Sequence, residues 1–260
     1  MPIYRISREY YANFCDHQRE ELLSEFELDK NGDILIPYEH KGYTCNDLTV
    51  ESAHGVKAVS MFSGAGGLDI GTQLAGVPVL TSLDIFEDSV RTIQQNAFFK
   101  NTMHECGDIT KIDGNHYSEI LRRENPEKLI IVGGPPCQPF SKAGYWVTNE
   151  KRNSSKDPRN MIKPYFKIIS ELQPDGFVLE NVESIMHPSN HEAVETIYEH
   201  MERLGYKCSV LKINAAEYGI PQKRKRVFFL ASKKDIQAEL IQTHGSEKEC
   251  VANPDLLPYE

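Results

Sequence analysis

The stretch that decides the fold is Lys128-Leu129-Ile130-Ile131-Val132, followed by Gly133-Gly134-Pro135-Pro136-Cys137-Gln138-Pro139-Phe140-Ser141. The first five residues form a short apolar run, as a buried parallel strand requires. Two glycines and two prolines end it abruptly. The sequence therefore predicts Cys137 on a loop just past the carboxyl end of a strand, where open α/β sheets bind ligands. A cysteine taken alone is most often a small buried apolar residue. Here the prolines stiffen the loop and Gln138 places an amide beside the thiol, which suits a nucleophile.

On either side of this stretch the chain has the composition of a globular protein. It has 260 residues, 40% hydrophobic and 26% charged, enough for one large α/β domain with an appendage. No apolar run reaches membrane-spanning length, and the first residues carry no signal-peptide pattern. Six scattered cysteines form no Cys-x-x-Cys pair. That argues against a zinc site or a disulfide scaffold, and for a reducing cytoplasm. The net charge of −9 argues against nucleic acid, but it is unevenly spread. Residues 1–55 hold 5 basic and 11 acidic side chains, and residues 235–260 hold 1 and 6. Residues 56–234 hold 23 basic and 21 acidic, a balance of +2. Two basic clusters, at Lys151–Arg159 and Lys223–Arg226, fit either a solvated face or a grip on phosphate.

Three segments are predicted: an appendage over 1–55, a catalytic domain over 56–232, and a polar acidic tail over 233–260. In the appendage, Glu9 to Phe26 has helical spacing, and Phe26 to Ile36 reads as a hairpin around Asn31-Gly32. Lys57 to Phe62 reads as a first strand running into Ser63-Gly64-Ala65-Gly66-Gly67, whose glycines allow a tight turn and close ligand approach. Val79 to Leu83 is a second strand ending in Asp84, placed either to accept from a ribose or to cap a helix over 87–99. Asp108 and Ile109 follow near a third strand. No triphosphate-binding Gly-Lys-Ser/Thr is present. Lys142 to Lys156 reads as a polar lid, and Asp157-Pro158-Arg159-Asn160 as the start of a helix to Leu172. Phe177 to Leu179 is a strand ending at Glu180, predicted beside the Cys137 strand as a buried acid or hydrogen-bonding group. A helix over His191–Leu204 and strands over Tyr206–Asn214 and Arg226–Ala231 complete the set. Alternation places Gln222, Arg224 and Arg226 on one face, where arginines can hold a phosphate or a base carbonyl.

Over about residues 57–231 these motifs closely resemble the DNA (cytosine-5)-methyltransferases. The carrying residues are Phe62–Gly67, Asp84, Gly107-Asp108-Ile109, Gly134–Gln138, Asp157–Asn160, Glu180-Asn181-Val182 and Gln222-x-Arg224-x-Arg226. The resemblance implies an S-adenosylmethionine-dependent Rossmann-like α/β fold. Its sheet would be mostly parallel, with one antiparallel edge strand and helices on both faces. It implies S-adenosylmethionine as methyl donor. Phe62 would stack on the adenine, and Ser63, Gly64, Ala65, Gly66 and Gly67 would cradle the methionine part. Asp84 would hold the ribose, where the family more often has glutamate. Ile85, Asp108, Ile109 and Pro135 would complete the cofactor pocket. Cys137 would add to carbon 6 of a cytosine flipped out of double-stranded DNA. Glu180, Arg226, Arg224 and Gln138 would assist. No metal is implied.

The resemblance also fails in places. The family's target-recognition region, its later arginine and glutamate motif and its closing Gly-Asn helix are not found in 232–260 or in 1–55. The favoured expectation is a split enzyme of a restriction–modification system, whose second polypeptide supplies recognition. A truncated or degenerate cofactor-binding relative and an RNA cytosine methyltransferase are the alternatives. The split reading predicts an exposed apolar patch beside the first glycine motif, where the missing helix would pack.

Overall fold

The structure is a computed structural model. It describes residues 3–6, 20, 23–24, 27–37, 53, 55–136, 161–234, 240–246, 249, 253 and 257–258. The chain divides into two units, Met1–Asp47 and Leu48–Glu260.

In the first unit, β1 (Ile3–Ile6), β2 (Glu27–Leu28) and β3 (Ile34–Pro37) form a sheet of order β1-β3-β2, antiparallel throughout. The predicted hairpin is β2–β3. Its loop is held by the Asp29 carboxylate, which accepts from the Asn31 and Asp33 amides at 2.8 and 3.0 Å. Gly32 takes the left-handed conformation the turn needs, at φ 81°. Most of the predicted Glu9–Phe26 helix lies outside the described residues.

The second unit is built on β4 (Val56–Met61), α1 (Gly67–Leu74), β5 (Val79–Asp84), α2 (Glu87–Gln94), β6 (Met103–Cys106), α3 (Ser118–Glu124) and β7 (Lys128–Gly133). It continues with α4 (Ile162–Leu172), β8 (Gly176–Val182), α5 (His191–Arg203), β9 (Lys207–Asn214) and β10 (Lys225–Ser232). Seven strands form one sheet in the order β6-β5-β4-β7-β8-β10-β9. The first five are parallel, and β10 is antiparallel to both of its neighbours. The single antiparallel strand is thus present, one place in from the edge, with β9 outermost. The side chains explain this placement. Val227, Phe229 and Ala231 of β10 are buried, as an inner strand requires, whereas no residue of β9 is fully buried.

The strand pattern separates the two faces. The Ser60 hydroxyl donates to Asp69 of α1. Ser60 pairs with Val132, Val132 with Val178, and Val178 with Leu230, so these four share the α1 face. Ile93 of α2 reaches the Gly66 turn on that side. On the other face, Tyr165 and Phe166 of α4 pack edge-on against Phe177, and Tyr198 of α5 packs against Phe229. The main core sits there, around Ile131, Ile169, Ile197 and Met201. Over β7, β8 and β10, no described helix covers the α1 face. Ile130, Val178, Phe228 and Leu230 remain partly exposed. The patch expected beside the first glycine motif is met only in part: Phe228 shares a cavity with Gly67, whereas Ile130, Val178 and Leu230 border a groove that reaches Val56, Lys128 and Gly176 at the starts of their strands, the opposite end of the sheet from Gly64–Gly67.

Two expected boundaries shift. The helix predicted over 87–99 ends at Gln94 and resumes as a 3₁₀ turn over Ala97–Phe99. The Phe177 strand runs on to Val182, so Glu180 lies inside β8 rather than at its end. β7 stops at Gly133, paired with Leu179, which leaves Glu180 just beyond the end of its neighbour. Of the predicted tail, the Thr243 amide donates to the Glu217 carbonyl at 3.0 Å, so this part packs on the second unit.

Candidate active site

β4 ends at Met61, and Phe62 follows with φ 57°, a left-handed conformation rare for an aromatic residue. Phe62 lines two cavities. A cavity of about 240 Å³ lies at the carboxyl ends of β4, β5 and β6, lined by Phe62, Leu83, Asp84, Ile85, Phe86, Gly107, Asp108, Ile109, Pro136 and Met161. The second cavity is about 460 Å³. It is lined by Phe62, Ser63, Gly67, Leu68, Gly134, Glu180, Ile213, Ala215, Ile220, Arg224, Arg226 and Phe228.

In the first cavity, Asp84 does not cap α2, whose N-cap is Phe86 without a side-chain cap bond. Its two oxygens accept from the Gly64 amide at 2.8 Å and the Phe86 amide at 2.9 Å. The short carboxylate thereby ties the glycine turn to the end of β5. Asp108 caps a 3₁₀ turn, accepting from the Thr110 hydroxyl at 2.7 Å and the Thr110 amide at 2.9 Å. Those bonds, hydroxyl first, hold its carboxyl below the usual range. Gly64, Ala65 and Gly66 shape the turn without lining either cavity. Pro135 is buried and lines neither cavity, and Pro136 takes the place expected for it in the lining.

The second cavity gathers the charged residues. Arg226 Nε lies 2.7 Å from Glu180 Oε1, and Arg224 Nη2 lies 3.9 Å from the same oxygen. The Glu180 side chain is 23% exposed, so it is a paired carboxylate at a cavity wall rather than the buried group expected. A β-carbon on Gly134 would stand 2.9 Å from Glu180 Oε2, so a larger residue there would require the carboxylate or the loop to shift. Arg224 and Arg226 do face one way, but Gln222 does not join them. Hydrogen bonds from Gln222 N to Ile220 O and from Arg224 N to Gln222 O curl that segment before β10 begins. Cys137, Gln138, Ser141, the 142–156 loop and Asp157–Asn160 lie outside the described residues. Their described neighbours Gly134 and Pro136 line the second and first cavities respectively.

The sequence pattern described as C-5 cytosine-specific DNA methylase matches residues 56–256. This chain belongs to that family. Curated relatives include the Type II methyltransferase M.SacI of Streptomyces achromogenes, 30% identical over 79% of this chain and 56% of the relative. M.FnuDI of Fusobacterium nucleatum is 35% identical over 70% of this chain and 48% of the relative. The chain thus spans about half the length of these two relatives. M.AquIA of Picosynechococcus sp. differs: it is 33% identical, and the match takes in 85% of the relative. Among solved structures, one described as a DNA modification methyltransferase encoded within a prophage (E. coli) superposes with a TM-score of 0.57 at 28% identity. It covers 70% of this chain and 49% of that one. The S. pombe Dnmt2 methyltransferase, at 16% identity and a TM-score of 0.52, shows the same fold.

Within the methylase fold, the apolar linings escaped the sequence reading. Phe86 and Met161 in the first cavity, and Leu68, Ile213, Ile220 and Phe228 in the second, are ordinary hydrophobic residues in the sequence. Only the strand order brings them to one end of the sheet. Among the described residues, no helix is long and apolar enough to cross a membrane.

Proposed function

We propose that this chain is the catalytic part of a cytosine-5 DNA methyltransferase of a Type II restriction–modification system. Methyl transfer would proceed from S-adenosylmethionine to cytosine in double-stranded DNA. The observation that carries this reading is the pair of cavities sharing the Phe62 wall, one with Asp84 at the end of β5, the other with Glu180, Arg224 and Arg226. Two reactants held in cavities that share a wall are brought close together, as a direct transfer needs.

The residues present fit the methyl donor. The Ser63 hydroxyl is buried, has no partner among the described residues, and belongs to a residue lining the second cavity. An unpaired buried hydroxyl is costly until something bonds it, and the polar methionine end of the donor would do so. Phe62, Ile85 and Ile109 offer apolar surface to the adenine, and Asp84 offers acceptor lone pairs to the ribose. S-Adenosylmethionine supplies the methyl group.

The chain's own groups would act on the base. The Cys137 thiolate adds to carbon 6 of cytosine, and the electrons of the 5,6 double bond move into the ring. Glu180, held by Arg226, would keep a proton at ring nitrogen 3, and Arg226 would bind the oxygen on carbon 2. Carbon 5 takes the methyl group, and its proton then passes to solvent water, leaving the C–H electron pair to the ring. The double bond re-forms and the thiolate leaves. The target base must leave the duplex to reach a cavity at this depth.

Recognition of the DNA sequence would come from a second polypeptide. The uncovered α1 face of β7, β8 and β10 supports this. The test is transfer of labelled methyl from S-adenosylmethionine to mixed-sequence duplex DNA. It is run on the chain alone and with the product of an adjacent reading frame, with Cys137→Ser as control. Activity only with the second chain is expected. Activity of the chain alone would refute the need for a partner, and full activity of Cys137→Ser would refute the mechanism.

A further inference from the structure

Asn181 lies between the acidic Glu180 and Val182 on β8, is 2% exposed, and lines neither cavity. Both polar atoms of its side chain are hydrogen-bonded. Nδ2 donates to the Pro135 carbonyl at 3.2 Å, and Oδ1 accepts from the Val182 amide at 2.9 Å. The second bond fixes which way the amide points, so the donor faces Pro135.

The register explains why a side chain is needed there. β7 and β8 pair in parallel as far as Gly133 and Leu179. One more repeat would set residue 135 against residue 181. Prolines at 135 and 136 have no N–H, so the strand ladder cannot continue. The Asn181 amide takes the place of the missing rung and bonds the carbonyl of the residue two before Cys137.

We propose that Asn181 is a positioning residue that holds the start of the Cys137 loop in register with Glu180. The assignment rests on the reading of Cys137 as the nucleophile. β8 then grips the loop twice. The Glu180 carboxylate packs over Gly134, and the next side chain bonds the carbonyl of Pro135. Proline fixes φ at 135 and 136, so the backbone leading on from this anchor has fewer free torsions. The anchor would govern thiol placement and leave the donor cavity untouched, since no bond from Asn181 reaches the Gly64–Gly67 turn.

The discriminating variants are Asn181→Asp, which keeps the acceptor for Val182 but sets a carboxylate against the Pro135 carbonyl, and Asn181→Ala, which adds no charge. Both are compared with the wild-type enzyme, together with any second chain it needs, and with Cys137→Ser. The readouts are kcat and KM for DNA, Kd for S-adenosylmethionine, and the rate of covalent trapping on duplex DNA containing 5-fluorocytosine. Both variants are expected to lose kcat and trapping rate by about 10- to 100-fold, the scale of a roughly 1 Å misplacement. Kd for the methyl donor and KM for DNA should stay within about twofold. Unchanged kcat and trapping would overturn the proposal. So would a loss of donor affinity in parallel with kcat, which marks a general structural role. Wild-type activity in Cys137→Ser would instead remove the nucleophile reading itself, and the Asn181 assignment with it.

Discussion

Gly134 is a position where one methyl group would be felt. Its β-carbon would need space 2.9 Å from Glu180 Oε2, while Arg226 holds Oε1 of the same carboxylate at 2.7 Å. Either the loop or the ion pair must yield. Gly134→Ala is expected to lower kcat for methyl transfer about 100-fold, as misplaced reacting groups do, with Kd for the methyl donor nearly unchanged. An alanine enzyme with wild-type kcat would show that Glu180 has room to move. Asp69 makes a different prediction. It is fully buried in the first turn of α1, its Oδ2 has no partner among the described residues, and the Ser60 hydroxyl donates to Oδ1. Burial, helped by the charge of Asp84 and opposed by the Ser60 bond, pushes its carboxyl up to about 6 from 3.8. The folded protein therefore keeps a proton that the unfolded chain gives up near pH 4. Across the interval up to about pH 6, unfolding releases that proton, so this group lowers stability as the pH rises. The effect amounts to about 3 kcal/mol once both states are ionised. Asn cannot ionise, so Asp69→Asn should gain stability relative to wild type between pH 4.5 and 7 in urea titrations. A wild-type minus variant difference that is flat across that range would contradict it.

The strand-turn-helix unit from β4 to α1 carries much of the site, and three of its residues have positive φ: Phe62, Gly64 and Gly66. At Gly66, φ is 88°, and an added β-carbon would meet the Phe99 ring at 2.9 Å and Ile93 at 3.2 Å. Gly67 has open space around its β-position. Gly66→Ala is thus expected to cost about 1–3 kcal/mol of stability and to weaken binding of the methyl donor. Gly67→Ala, in the first turn of a helix, should shift stability by less than about 1 kcal/mol. Equal losses in thermal denaturation would show that the turn is not governed by these contacts. This unit was legible in the sequence because glycine spacing after an apolar run has few other physical meanings. So were β7, a continuous apolar run, and β8 and β10, where burial alternates. The place of β10 inside the edge was not legible, since its pairing depends on β9 leaving its own outer side unpaired. Nor was the place of Phe62 in the walls of both cavities. Arg224 and Arg226 were found by alternation, yet Gln222 fell on a curled segment where alternation no longer applies.

At the scale of the whole molecule, the two sheet faces differ in how they are closed. On the α4 and α5 face, Phe177, Leu179, Val227 and Phe229 are buried. On the α1 face, Ile130, Val178 and Leu230 border a groove of about 300 Å³, and Phe228 continues the apolar strip into the cavity that holds Glu180. Apolar side chains left half-wet on a central sheet are costly for a lone chain, and become favourable when a partner removes them from water. A charge in the middle of that strip separates folding from assembly. Leu230 pairs with Val178 and faces outward on the α1 side, so Leu230→Glu leaves the opposite core intact. The variant chain alone is expected to bind S-adenosylmethionine with near wild-type Kd and to melt within a few degrees of wild type. Mixed with the second polypeptide, it should fail to co-elute in gel filtration and lose methyl transfer by 100-fold or more, because a buried unpaired carboxylate is strongly penalised. A Leu230→Glu chain that assembles and methylates like wild type would place the partner elsewhere and leave the strip to be covered by residues of this same chain.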